Sequence, residues 1–324
     1  MEGPGREAST GGMQVHSCDT ITDLSDIKSK AKFYMASNKP VLFKQGANSW
    51  QACNKWNFEF FCSGALGETM VEVSMDGKER GQKGKMSLRD YVSSFRSGAE
   101  AGGRQPANSV EDTKEEERGR EQEQEQASRL DYKPYMRAWY FQEDHPELLQ
   151  DFPNPPECFP DKFKALATEF QPPFTWIFIG PQGAFSPLHR DIWYTCAWMA
   201  QFQGRKRFLF VPPKDLKLVY RKLEDKEEYL DLRAPDLERF PSYRHANFIE
   251  AVLEPGDLLY IPSRWPHFVE CLTDSVSLTS NFANVVNFKH VLIPYTRWLE
   301  KRQAAIQLMK GIMKMQLRSS GEDG

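Results

Sequence analysis

The chain has 324 residues, of which 40% are hydrophobic, 27% charged and 13% aromatic, with a formal net charge of -3. That length and apolar content support one or two globular domains with a sizeable core, and exclude a mini-protein or a wholly disordered chain. A pI of about 6.1 gives no global pull toward nucleic acid or membrane. Six cysteines without a C-x-x-C pair exclude a disulfide-stapled secreted fold and a cysteine zinc cluster.

Residues 1–18 are small and polar and read as a flexible leader, without the basic start and apolar run of a signal peptide. No apolar stretch approaches a bilayer-spanning length, so the expectation is an intracellular protein of the cytoplasm or nucleus without a membrane partner. Structure should begin near Asp19. Ser25 is a candidate N-cap, and Ile27, Ala31, Tyr34 and Met35 at helical spacing predict a helix that stops before Asn38-Lys39-Pro40. PVLF at 40–43 and TMVEV at 69–73 read as strands, which makes 19–96 an N-terminal α/β part. Composition then shifts to Gly, Glu, Gln, Arg and Ser, and 97–129 reads as a disordered acidic insert with too little apolar surface to order itself.

From Leu130 onward short strand-like runs recur: 174–179, 195–202, 206–211, 248–253, 257–262, 267–272 and 275–283. Punctuated by Pro and Gly, they predict an antiparallel barrel or sandwich over 130–288. In the last segment, 289–324, Trp298, Ala305, Ile306, Met309, Ile312 and Met313 fall on one stripe of a basic amphipathic helix. Docking on the barrel and homodimerisation are both open readings of that stripe.

Three stretches carry chemistry. In Gly180-Pro-Gln-Gly-Ala-Phe-Ser-Pro-Leu-His189-Arg-Asp191, residues two apart in an extended segment point to the same side, so His189 and Asp191 can address one metal ion. In Glu254-Pro-Gly-Asp257 through Trp265-Pro-His267, a turn, a strand and a second turn place His267 at the head of the next strand, free to face that pair. Two histidines and one carboxylate on one face of an octahedral ion leave three open positions, as in non-haem Fe(II) oxygenases. The third stretch, Gly204-Arg205-Lys206-Arg207, offers a lysine that would need an anion if it points inward.

These motifs, in this order from about Pro40 to Phe282, resemble the Jumonji-C (JmjC) branch of the cupin-fold Fe(II)- and 2-oxoglutarate-dependent oxygenases, with the small single-domain protein (lysyl) hydroxylase-like members most alike. The resemblance implies a mainly β fold, a double-stranded β-helix (cupin or jelly-roll) barrel with an N-terminal α/β extension and C-terminal helices. It implies Fe(II) on His189, Asp191 and His267, 2-oxoglutarate as co-substrate with its distal carboxylate on Lys206, Tyr140 and Ser186, Asn281 beside the iron, and O2 as oxidant. Met199 stands where some members carry a polar co-substrate contact.

The implied activity is dioxygenase hydroxylation of a C–H bond, first of all on a protein side chain. N-methyl-lysine or arginine demethylation, tRNA-base hydroxylation and a non-catalytic binding module are the alternatives. Nucleic acid as a partner is hinted at only by the basic C-terminal helix. His16, His145, His245 and His290 read as structural or solvated.

Overall fold

The computed structural model describes residues 13–75, 82–96, 133–224 and 227–319, with the side chains of the last helix as far as residue 303. The acidic insert at 97–129 and the first 12 residues of the leader lie outside the described residues. The strands are β1 (Gln14–Ser17), β2 (Asp19–Ile21), β3 (Val41–Phe43), β4 (Met70–Ser74), β5 (Lys83–Ser87), β6 (Met136–Trp139), β7 (Thr175–Gly180), β8 (Phe185–His189), β9 (Cys196–Gln203), β10 (Lys206–Phe210), β11 (Tyr220–Lys222), β12 (Glu227–Tyr229), β13 (Asn247–Leu253), β14 (Leu258–Ile261), β15 (His267–Cys271) and β16 (Ser275–Phe282).

Two sheets form the barrel: a seven-stranded one in the order β2-β3-β14-β9-β16-β7-β6, and a five-stranded one in the order β1-β13-β10-β15-β8. The period-2 alternation of each strand decides what lies between the sheets. Along β9, Ala197 and Met199 turn inward, while Trp198, Ala200 and Phe202 turn outward against the N-terminal helices. Along β10, Phe208 and Phe210 turn inward, and by parity so does Lys206, while Leu209 faces a third cluster over the 211–246 connection. The core is therefore layered, with one apolar layer inside the barrel and another on the outer face of each sheet.

Most pairings are antiparallel, as the short punctuated strands imply. Two are not: β1 runs parallel to β13, and β2 parallel to β3. β1 corrects the expected start of structure, because its four residues belong to the predicted leader. All four are exposed, and backbone pairing with β13 rather than apolar burial orders them, a signal that composition does not carry.

The first helix, Ile27–Ser37, is capped by Asp26, whose side chain accepts from the Ser29 amide; the predicted cap, Ser25, bonds Asp23 instead. The helix ends at left-handed Asn38, where the sequence predicts. Gly204 turns the chain from β9 in one sheet to β10 in the other at φ +69, where a Cβ would sit 1.8 Å from the Asp274 carbonyl oxygen, so only glycine fits. The turn before β14 is held by buried Asp257, whose carboxylate accepts from the Gln45 and Glu254 amides and from Lys44.

The C-terminal helix, Phe288–Ser319, meets the barrel through rings. Trp298 packs on Trp193 and stacks on Tyr295, so the first residue of the apolar stripe docks on its own barrel. Ala305 to Met313, on which the homodimer expectation rests, lie outside the described side chains. No helix among the described residues is long and apolar enough to cross a membrane, and all six cysteines are free thiols.

Candidate metal centre

The centre is built where β8 and β15 pair. His189 stands opposite His267, and Ser186 opposite Val269, so three residues of β8 span two of β15. This bulge inserts one residue. Strict alternation would send Ser186 and His189 to opposite faces, and the extra residue brings both to the same cavity wall. The chain leaves β8 at once and brings Asp191 to the same point. Donor atoms of His189, Asp191 and His267 all lie within 4.8 Å of one another, and the two imidazole centroids are 4.4 Å apart.

The local hydrogen bonds suit the imidazoles to a cation. Nδ1 of His189 faces the Pro187 carbonyl at 2.7 Å, and Nδ1 of His267 faces the Trp265 carbonyl at 3.1 Å. A carbonyl only accepts, so each Nδ1 carries a proton, and Nε2 is the ring nitrogen left to face a cation. Burial pushes His267 down to about 4, against a smaller upward pull from the Trp265 carbonyl, which keeps the ring neutral and able to ligate at physiological pH.

Asp191 presents a buried Oδ2 with no hydrogen-bond partner. Burial raises its carboxyl above the ordinary range, while His189 and Asn281 pull it back. An orphaned buried carboxylate oxygen between two lone pairs is costly unless a cation fills the gap. Two nitrogens and one oxygen on one face fit a divalent ion such as Fe(II).

A cavity of about 510 Å³ opens from this centre, and Tyr135, Phe178, Ser186 and Asn281 are among its lining residues. Lys206 is fully buried beside it. Its ammonium donates to the Ser277 hydroxyl at 2.6 Å and the Tyr135 hydroxyl at 3.1 Å, and lies 5.1 Å from the Phe178 ring centroid. Among the described residues no carboxylate pairs with it. Burial accordingly pulls this lysine below its usual value and holds the Tyr135 phenol well above its own. A buried cation held by neutral partners calls for an anion.

The phenol at the lysine is therefore Tyr135, which the sequence did not single out. Tyr140, assigned there by resemblance, is 44% exposed and sets its ring edge-on to Trp176 at the cavity wall. Asn281 is buried and donates to the Thr195 hydroxyl at 2.8 Å. Met199 also lines the cavity, with a thioether where a polar contact was looked for.

The remaining histidines lie elsewhere. His145 bridges Thr69 and Glu147, His16 and His245 are exposed, and His290 lines a separate groove. Ser277 and Tyr135 had no motif to mark them; the only available clue to Ser277 was its place two residues before Thr279 and four before Asn281, on the same inward face of β16.

Comparison with known proteins places this geometry. Residues 28–288 match the model of the family described as Cupin-like domain. Arginine-specific demethylase JMJ20 of Arabidopsis thaliana is 24% identical over 277 residues, covering 81% of this chain and 56% of that protein. The 2-oxoglutarate and iron-dependent oxygenase JMJD4 of Gallus gallus is 29% identical over 171 residues, covering 47% and 36%. HSPB1-associated protein 1 of Homo sapiens is 33% identical over 156 residues, covering 47% and 29%. The chain thus spans about half, or less, of the length of these relatives.

Proposed function

The chain belongs to the Cupin-like domain family, among relatives that carry JmjC names, and from that premise we propose that it is an Fe(II)- and 2-oxoglutarate-dependent dioxygenase that hydroxylates a C–H bond on a protein side chain. The observation that carries the reading is the convergence of His189, Asp191 and His267 on one point, in a cavity whose neighbouring wall hides the anion-seeking Lys206. Bound iron and 2-oxoglutarate would supply oxygen activation coupled to decarboxylation, in which 2-oxoglutarate, O2 and R–H become succinate, CO2 and R–OH.

The chain's own residues do the rest. His189, Asp191 and His267 would hold the iron and leave the opposite face for co-substrate and oxygen. Lys206, steadied by Ser277 and Tyr135, would pair with the distal carboxylate in a charge-assisted bond, with Ser186 and Tyr140, which also line the cavity, as further candidate donors. Asn281, tied to Thr195, would orient Asp191 from its uncoordinated side. Trp176, Phe178, Phe208 and Ile261 line the cavity with apolar surface and exclude water from the reacting centre.

A protein side chain is the substrate class, with lysine the first choice by resemblance. Demethylation is the second reading, favoured by the likeness to the arginine-specific demethylase JMJ20 of Arabidopsis thaliana. It uses the same step, because hydroxylation of an N-methyl carbon gives a hemiaminal that releases formaldehyde.

The test is anaerobic purification, reconstitution with Fe(II), and measurement of succinate released from 2-oxoglutarate by wild type and His189→Ala. Turnover by wild type alone is expected. Equal succinate from both, or from neither in the presence of candidate peptides, overturns the reading.

A further inference from the structure

A second groove of about 550 Å³ runs beside the metal centre and shares Arg190 and Asp191 with it. One wall is the turn at Trp193 and Tyr194, the other the start of the C-terminal helix, with Lys289, Ile293 and Arg297 in the lining. These three are four residues apart in succession, so they form one row along the helix, about 12 Å long at the helical rise.

The charges in the groove do not cancel. Arg190 is engaged by the Tyr229 hydroxyl at 2.6 Å and Glu227 at 3.1 Å, and its guanidinium lies over the Tyr194 and Tyr220 rings. Asp191 belongs to the metal cluster. Lys289 and Arg297 remain, both exposed and without an acidic partner among the described residues. Between them Ile293 is 60% exposed. The row thus reads cation, apolar, cation. The wall opposite is rigid, because Trp193 is packed against Phe174, Tyr295 and Trp298.

We propose that this groove seats an acidic polypeptide segment flanking the residue to be modified, an assignment that rests on the oxygenase reading. An extended chain rises about 3.3 Å per residue, so carboxylates matched to Lys289 and Arg297 stand about four residues apart, with an apolar side chain between them over Ile293. Nucleic acid fits less well. Two cations flanking an aliphatic residue do not form a phosphate track, and the Trp193 ring is already enclosed by other rings rather than open to a base.

Fluorescence anisotropy on the full chain tests the assignment, with labelled eleven-residue peptides that have a central leucine and, two positions to each side, Glu, Gln or Lys. An oligo(dT) ten-mer serves as the nucleic-acid probe. The Glu peptide should bind roughly tenfold tighter than the Gln peptide at low salt and lose that advantage as salt rises. Lys289→Glu/Arg297→Glu should reverse the preference toward the Lys peptide.

Equal binding of the Glu and Gln peptides, no binding of any peptide, an unreversed preference in the double variant, or tighter binding of the oligonucleotide overturns the groove assignment. Succinate release by wild type against His189→Ala, measured with the candidate substrate peptides, reads the oxygenase assignment separately. A chain that turns over but shows no charge preference sinks only the groove; one that shows the preference but does not turn over sinks the oxygenase reading.

Discussion

The outer face of the seven-stranded sheet and the interior it encloses with the five-stranded sheet do opposite things. Outward, Trp198 and Phe202 of β9 join Trp56, Phe141 and Phe152 in a lattice of edge-on and tilted rings, where the Trp56 indole N–H donates to Asp151 at 2.7 Å and the Tyr91 hydroxyl to the Ile179 carbonyl at 2.8 Å. Inward, β10 and β16 carry Lys206, Ser277, Thr279 and Asn281 toward a cavity that also holds an orphaned carboxylate oxygen. The outer polar groups named here have partners, while the inner face keeps an orphaned carboxylate oxygen and an ammonium without a carboxylate among the described residues. On the proposed reading, stability comes mainly from the outer face and the inner face keeps groups for ligands.

That contrast predicts separable losses. The largest falls on the inner face: His189→Ala or Asp191→Ala should abolish Fe(II) binding and lower succinate release on the order of a thousandfold, while urea unfolding of the metal-free chain changes little or improves. Anaerobic metal titration and denaturation on the same preparation check both halves.

Trp56→Ala should do the reverse. Its removal leaves a large hole and strips buried Asp151 of one of its two partners, Lys55 being the other, and should cost about 3–5 kcal/mol by urea unfolding, with iron affinity of the folded fraction unchanged. If iron affinity falls in step with stability, the two faces are not independent.

Lys206→Met sharpens the comparison because its two effects have opposite signs. Apparent affinity for 2-oxoglutarate should fall by roughly 30-fold or more, the loss of a buried charge-assisted contact. The unliganded chain should gain about 1–3 kcal/mol, because a buried unpaired cation is replaced by an apolar side chain of similar length.

The gain also depends on pH. Burial sets the folded-state value of Lys206 below that of an unfolded lysine, so the destabilisation it causes is complete below the folded value and fades as pH rises toward the unfolded one. The advantage of Lys206→Met should therefore be largest near neutrality and shrink in alkali, as thermal melts of both proteins across pH would show. The smallest expected effect separates two tyrosines. Tyr135→Phe should weaken 2-oxoglutarate about three- to tenfold, and Tyr140→Phe by less than about twofold.

Much of the centre was legible before any coordinates. His189 and Asp191 share a side by short-range parity, and the turns bracketing Ile261 put His267 at a strand head. The lysine was legible only through the family resemblance, since by residue type alone Lys206 reads as an exposed strand lysine, and it is the structure that turns it inward beside Phe208 and Phe210. The phenol at the lysine was not. β6 shifts register between Met136 and Trp139 and carries Ala138 at φ +54, so counting along the strand from either end loses the facing. Tyr135, joined to Ser74 by an isolated bridge, falls outside any periodic run.

The sequence by itself pointed to most of the long barrel strands, because period-2 alternation and turn chemistry act over a few residues and are written locally, while the barrel class and the roles of His189, Asp191 and His267 came from short motifs and the family they resemble. Only the tertiary structure decided that a bulge in β8 returns Ser186 and His189 to one wall, that Tyr135 and Ser277 hold Lys206, that β1 joins a sheet without burying anything, and that the C-terminal helix closes a basic groove beside the candidate metal centre. Each of these depends on pairing between residues far apart in the chain, and such pairing is selected by the packing of the whole rather than by any local preference.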